Sequence, residues 1–304
     1  MLSYPLSIAD HGRRLDSFLR NLLPASSASY LHQLIKGGAV LVNGLQSAPD
    51  RVLRLPDSVA LKETGRVRGL LAGAGPRVDI LYEDEYLVAF NKPAGLPVHR
   101  SAEHGGRNLA ELGRAAFAGR GAQVKLYPVN RLDKDTSGIA VMAKSSANAG
   151  ALGKLFQEGV VEKRYLAVVA GRTDASGVIA APLDGKESAS GYRALFTGKG
   201  VTVLSVTPFT GRSHQIRRHM AAIGHPVMGD RRYGGKAVAG MQGHALHAYR
   251  LSCTHPFTGT GLRLFAPLTE TFAAYLARVL GEEPAVLLDS LMDGDPPPET
   301  GMSP

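Results

Sequence analysis

Apolar residues recur at helical spacing in two short stretches near the start of the chain, and at strand-like spacing over much of the chain beyond residue 78. Leu15, Phe18, Leu19, Leu22 and Leu23 line one helix face, with Asp16 in the first turn, where an acid suits the helix dipole. Leu31, Leu34 and Ile35 mark a second helix from Ser29 to Lys36, stopped by Gly37-Gly38. The run Ala39-Val40-Leu41-Val42 then predicts a strand entering a tight Asn43-Gly44 turn. These elements define a compact N-terminal unit, residues 1–62. Residues 63–77, rich in Gly, Arg and Ala without a clear period, read as a linker.

Residues 78–281 alternate short β-rich runs with a few helices. Val78 to Leu81 and Tyr86 to Asn91 predict strands joined by a Glu83-Asp84-Glu85 turn, and Ile139 to Ala143, Tyr165 to Val169, Val201 to Val206 and Leu262 to Phe265 predict more. No Gly-x-Gly-x-x-Gly follows a strand, which excludes the dinucleotide fingerprint, and the scarcity of long helices argues against a doubly wound fold. The expected class is α+β, with a mixed, largely antiparallel sheet. Residues 282–304 end in Pro296-Pro297-Pro298 flanked by acids, a composition expected to form a mobile acidic tail.

Composition changes this picture in two ways. A net charge of +9 and a pI near 9.7 favour a polyanionic partner, because Lys and Arg gain affinity by displacing phosphate counterions. The single cysteine, Cys253, excludes an internal disulfide or a multi-thiolate zinc site and reads as a small buried apolar residue of a reduced compartment. No stretch approaches the ~20 apolar residues needed to span a bilayer. A cytoplasmic protein without a membrane segment is expected.

Three segments carry candidate chemistry. Asn130-Arg131-Leu132-Asp133-Lys134-Asp135-Thr136-Ser137-Gly138 is a polar loop between apolar runs, able to project a carboxylate from a rigid frame or to be no more than a salt-bridged turn. Lys163 to Gly171 reads as a strand in which Tyr165 shares a face with Ala167 and Val169; alone, it would be an ordinary core aromatic. Thr210-Gly211-Arg212-Ser213-His214-Gln215-Ile216-Arg217-Arg218-His219 passes from a glycine turn into a helix and runs on to Asp230 without an intervening acid. That uncompensated charge suits phosphates. His214, His219 and His225 match no zinc spacing, so no metal is expected.

Taken in order, these three segments resemble the RluA-type pseudouridine synthases. Supporting matches are Asn91-Lys92-Pro93-Ala94-Gly95, Gly224-His225-Pro226, Gly229-Asp230 and Leu246-His247-Ala248. The N-terminal unit resembles the alpha-L RNA-binding domain through Arg14-Leu15-Asp16, Leu34-Ile35-Lys36-Gly37-Gly38 and Val42-Asn43-Gly44. The resemblance implies a pseudouridine synthase-like sheet with flanking helices behind a small α/β RNA-binding domain. It also implies a cofactor-independent, monomeric isomerase acting on RNA, with ribosomal RNA of the large subunit favoured over transfer RNA.

By the same resemblance, Asp133 is the catalytic carboxylate, Arg212 its guanidinium partner, and Tyr165 the residue that packs on the base and can take the ribose proton. Arg131 is expected to brace the space left by a flipped uridine. Asn130, Lys92, His214, Gln215, Arg217, Arg218, Arg14 and Lys36 are expected RNA contacts. Asn130 departs from the histidine usual in the family, which puts the RNA contact at that position in doubt. Two other readings remain at this point: a non-catalytic RNA-binding factor, and a glycosidase using Asp133 and Asp135 as its carboxylate pair.

Overall fold

The computed structural model describes residues 1–71, 78–99 and 107–294. The N-terminal module contains β1 (Leu2–Pro5), α1 (Leu15–Leu22), α2 (Ala28–Lys36), β2 (Val40–Val42), β3 (Leu45–Gln46), β4 (Ser58–Leu61) and α3 (Gly65–Leu71). Its four strands lie in the order β1-β4-β2-β3. Leu15, Leu19, Leu31, Ile35, Val40, Val59 and Leu61 form one core between sheet and helices, as the apolar spacing predicts. The β2–β3 turn places Asn43 and Gly44 at φ 52° and 79°, the left-handed pair that a two-residue hairpin turn requires. Part of the expected linker is instead α3, because Val67 is buried and Leu70 and Leu71 pack on the module's core. The remainder of that linker, residues 72–77, lies outside the described residues.

The larger unit continues as β5 (Ile80–Glu83), β6 (Leu87–Lys92), α4 (Leu109–Ala118), β7 (Tyr127–Pro128), β8 (Ser137–Ala143), α5 (Ser146–Gln157) and β9 (Glu162–Ala170). Beyond these come β10 (Ser176–Ala180), β11 (Ala189–Gly198), β12 (Val201–Pro208), α6 (Gln215–Ala222), β13 (Leu246–Thr254), β14 (Gly261–Phe265), α7 (Glu270–Leu280) and α8 (Ala285–Gly294). Among the described residues these strands form a ten-stranded sheet ordered β10-β11-β12-β9-β13-β8-β6-β5, with β14 on β13 and β7 on β8. The described pairs are antiparallel except β13 with β8. The sheet is therefore mixed and largely antiparallel. β8 and β12 are buried along their whole length, which suits the apolar run at residues 139–143 and the valine-rich β12, whose Thr202, Ser205 and Thr207 are buried with it.

Helices cover both faces. Side chains of Asn108, Ser145 and Thr269 cap α4, α5 and α7 by accepting backbone N–H groups that the first helical turn leaves free. The C-terminal segment differs from the expected mobile tail over α8. Leu288 and Leu291 are fully buried in the core that also holds Phe272 and Leu276, and each such leucine contributes about 1.5–3 kcal/mol. Residues 295–304 lie outside the described residues.

The two units are fastened together by buried charge. Arg13 forks onto Asp79, Asn21 donates to the same carboxylate at 2.8 Å, and Ser17 Oγ donates to Ile80 O at 2.5 Å. Arg20 reaches across to Glu83, which also takes Arg120 at 2.9 Å and Lys144 at 3.0 Å. Burial pushes Glu83 up, but Arg20, Lys144 and Arg120 together hold it below the usual carboxylate range. Gly12 closes the contact: a Cβ there would lie 2.4 Å from the Phe265 ring and 2.9 Å from Met292 Sδ.

Glu83→Gln leaves three largely buried cations without their shared anion. The expected cost is about 3–5 kcal/mol, read as a lower urea midpoint; an unchanged midpoint would show that the cluster does not hold the units together.

Candidate active site

The loop from Asn130 to Thr136 is held at several points so that one carboxylate stays free. Asn130 accepts Val141 N–H at 2.7 Å and donates to Ile139 O at 3.1 Å, so both ends of its amide are spent on β8. Lys92 Nζ donates to Lys134 O at 2.8 Å, and also to Leu96 O and Pro93 O. Thr136 Oγ1 lies 2.7 Å from His244 Nε2, and Ser137 Oγ 2.8 Å from His247 Nδ1. Between these fixed points Asp133 keeps a quarter of its side-chain surface exposed.

Sheet register then brings Tyr165 to the same place. On β13, Ala248 lies opposite Gly138 of β8 on one side and Tyr165 of β9 on the other. Gly138 has φ +107°, and a Cβ on it would stand 2.3 Å from Ala248 O, so only glycine permits this approach. Burial and the nearby Asp133 charge push the Tyr165 phenol up, keeping it protonated at neutral pH.

The guanidinium on Asp133 is Arg217, not Arg212. Arg217 NH1 donates to Asp133 Oδ2 at 2.8 Å. Arg217 lies in the first turn of α6, beside the core residues Ile216 and Met220, and that packing turns it inward. Arg212 precedes the helix, is exposed, and donates from Nε to Glu187 O at 3.0 Å. Arg217 also takes Asp230, a buried carboxylate, through Nε at 2.6 Å and NH2 at 2.9 Å. His214, at φ 53°, hydrogen-bonds Tyr233 Oη at 2.9 Å and brings Nε2 to 3.8 Å from Asp133 Oδ1.

Other expected RNA contacts are also corrected. Lys92 is fully buried with its three ammonium protons on three carbonyl oxygens, so it braces the Asp133 loop instead of meeting solvent. Burial pulls it down to about 7, against the pull of Asp135 and Asp133. Gln215 is buried too, accepting Arg212 N–H and Thr210 Oγ–H and donating to Ala189 O and Ser190 Oγ, which fixes the turn ahead of α6. Asn130, with its amide spent on β8, is likewise a brace.

Arg131 and Lys36 are exposed, as a nucleic-acid contact requires. Arg218 remains accessible but is forked onto Asp184, and Arg14 onto Asp16. A cleft of about 440 Å³ lies beside Arg217, lined among others by Arg231, Arg232, Gln242 and His244. Asp230 and His244 were not among the site residues expected from sequence. The Gly229-Asp230 pair was visible, but no local pattern tied it to a residue thirteen positions earlier.

Cys253 is partly exposed, at the far end of β13, and burial pushes its thiol up. No helix among the described residues is long and apolar enough to cross a membrane.

The braces make both stability and turnover sensitive to the groups that form them. Burial holds His247 and His244 down to about 4, below the ordinary 6.5. Between pH 6.5 and 4 the unfolded chain therefore binds protons that the folded chain refuses, and stability falls as pH falls by about 1.4 kcal/mol per unit for each histidine. Thermal melts across this window should show the loss, and His247→Gln should flatten it; an equal slope in the variant would remove His247 from the account. Lys92→Met leaves three carbonyls without a donor, and turnover should drop at least tenfold with RNA affinity held; parent-like turnover would show that the brace is dispensable.

Residues 86–222 match the RNA pseudouridylate synthase family model and residues 13–45 the S4 domain. Ribosomal large subunit pseudouridine synthase D of Xylella fastidiosa is 33% identical, covering 91% of this chain and 92% of its own length. Ribosomal large subunit pseudouridine synthase C of Haemophilus ducreyi is 32% identical over 92% of this chain and 96% of its own. Among solved structures, human RNA pseudouridylate synthase domain containing 4 superposes with a TM-score of 0.55 at 26% identity, covering 66% of this chain and 92% of its own. With the Asp133 loop, the Tyr165 strand and the Arg217 helix inside the matched segment and an S4 module ahead of it, the chain belongs to the RNA pseudouridylate synthase family.

Proposed function

We propose that this protein isomerises uridine to pseudouridine in structured RNA, with large-subunit ribosomal RNA as substrate and Asp133 as the reacting group. The observation that carries the reading is the Asp133 carboxylate, a quarter exposed, held by one hydrogen bond from Arg217 and near enough to Tyr165 for its charge to act on the phenol. The reaction breaks the bond from ribose to uracil N1, turns the base, and joins the sugar to C5, whose proton is released as N1 gains one. Nothing is oxidised or reduced, and residues of the chain suffice.

A carboxylate with one oxygen open can stabilise positive character at the anomeric carbon, attack it, or accept a proton beside it. Arg217 orients that carboxylate through its hydrogen bond to Oδ2. Tyr165 packs on the uracil. Burial and the Asp133 charge favour its protonated phenol. The uridine must leave its stack to reach this group, at a cost of a few kcal/mol, and exposed Arg131 is placed on the reacting loop to fill the gap.

The S4 module and the names of the similar bacterial proteins support the ribosomal substrate. A ribosomal RNA substrate fits a cytoplasmic enzyme, and the groups assigned to the reaction all lie within one chain.

Asp133→Asn should abolish pseudouridine formation, by about 10³-fold or more, in an assay on ribosomal RNA transcripts while RNA binding persists; full turnover in that variant would end the reading. Tyr165→Phe should keep RNA affinity and lose turnover; normal turnover would reduce it to packing. Pseudouridine mapping of total RNA with and without the protein should change large-subunit positions; a change confined to transfer RNA would overturn the substrate.

A further inference from the structure

We propose that Asp230 is a positioning residue for the reaction, forking onto Nε and NH2 of Arg217 and so fixing the guanidinium in the orientation that gives Asp133 a single hydrogen bond and leaves Asp133 Oδ1 open to substrate. This rests on Asp133 being the reacting carboxylate.

An arginine beside a carboxylate ordinarily makes two parallel hydrogen bonds, one to each oxygen. Such a fork on Asp133 would occupy the oxygen the reaction needs. Here a side-on fork is made with Asp230, through Nε at 2.6 Å and NH2 at 2.9 Å, which fixes the plane of the guanidinium, and in that orientation NH1 alone donates to Asp133, to Oδ2 at 2.8 Å. Among the described residues no hydrogen bond reaches Asp133 Oδ1; His214 Nε2 stands off at 3.8 Å.

The segment around Asp230 is built to hold this geometry. Asp230 O accepts Gly235 N–H at 2.7 Å and Tyr233 N–H at 3.2 Å, and a Cβ on Gly235 would stand 1.9 Å from Val227 O. These contacts fix the backbone that carries the Asp230 carboxylate, whose side chain is 1% exposed. The Tyr233 ring lies 5.0 Å from the Arg217 guanidinium carbon, supporting the cation from a second direction. A carboxylate withdrawn so completely from water is costly unless its partner needs it there. Arg217 joins two anions, and their roles divide by exposure: the buried one anchors and the open one reacts.

Asp230→Asn preserves shape but sets an amide against the arginine N–H groups and removes the charge that directs the fork. Expected is a fall of about 100-fold in kcat with KM for RNA unchanged. In an Arg217→Lys background, where no fork exists to direct, adding Asp230→Asn should change kcat less than threefold. Equal losses in both backgrounds, or no loss in the parent, would overturn the positioning role. Asp230→Ser serves as the second variant, with thermal melts for each; if neither folds, Asp230 is a structural residue and the proposal fails. Asp133→Asn run in parallel separates the two claims. Turnover in it defeats the reading of the site, whereas an inactive Asp133→Asn with background-independent Asp230→Asn losses defeats only the positioning role.

Discussion

The close approach of β8 to β13 at Gly138 sets the geometry on which the rest of the site depends. Because backbone meets backbone there, the strand leaving the reacting loop runs parallel to β13, with Ala248 between it and Tyr165. Two chemical groups far apart in sequence thereby acquire a fixed separation set by strand spacing. Side-chain rotamers make only the final adjustment. The third group arrives from β12, which pairs with β9 and delivers the chain into α6. Sheet order, more than any local motif, assembles the centre.

Buried polar groups then stiffen what the sheet has placed. Lys92, Thr136, Ser137, His244 and His247 all terminate on or in the loop that carries Asp133, and each is satisfied inside the protein. Such networks hold one conformation because a half-made version leaves desolvated groups unpaired. Dense bracing around a partly exposed carboxylate is what preorganisation means in structural terms. The bracing is concentrated around Asp133, whereas Arg131 and Lys36 stand exposed.

Much of this was legible in the sequence. Helical spacing of leucines and the Asn43-Gly44 turn gave the N-terminal module, and unbroken apolar runs gave the central strands. Asp133 and Tyr165 were visible because their segments carry several fixed residue types in order. Arg212 is the partner that the resemblance implies, and Arg217 takes its place because both sit in one basic run and the start of α6 decides which turns inward. Lys92 and Gln215 look like surface donors in sequence and are buried because backbone carbonyls close around them. The acidic, proline-rich composition near the end obscured Leu288 and Leu291, two residues that suffice to seat α8 against the core.

The junction through Arg13, Arg20, Glu83 and Gly12 bears on how RNA would be read. A module on a flexible tether samples many distances from its catalytic partner, and its contribution to affinity is diluted by that volume. Here buried ion pairs hold the two units together, so RNA-binding surfaces on each would act as the jaws of a caliper. An RNA whose two contact points match that gauge gains both contacts for one loss of rotational freedom, whereas an RNA with the same target sequence but a different span can satisfy only one jaw at a time. Selectivity then comes from length as well as from bases.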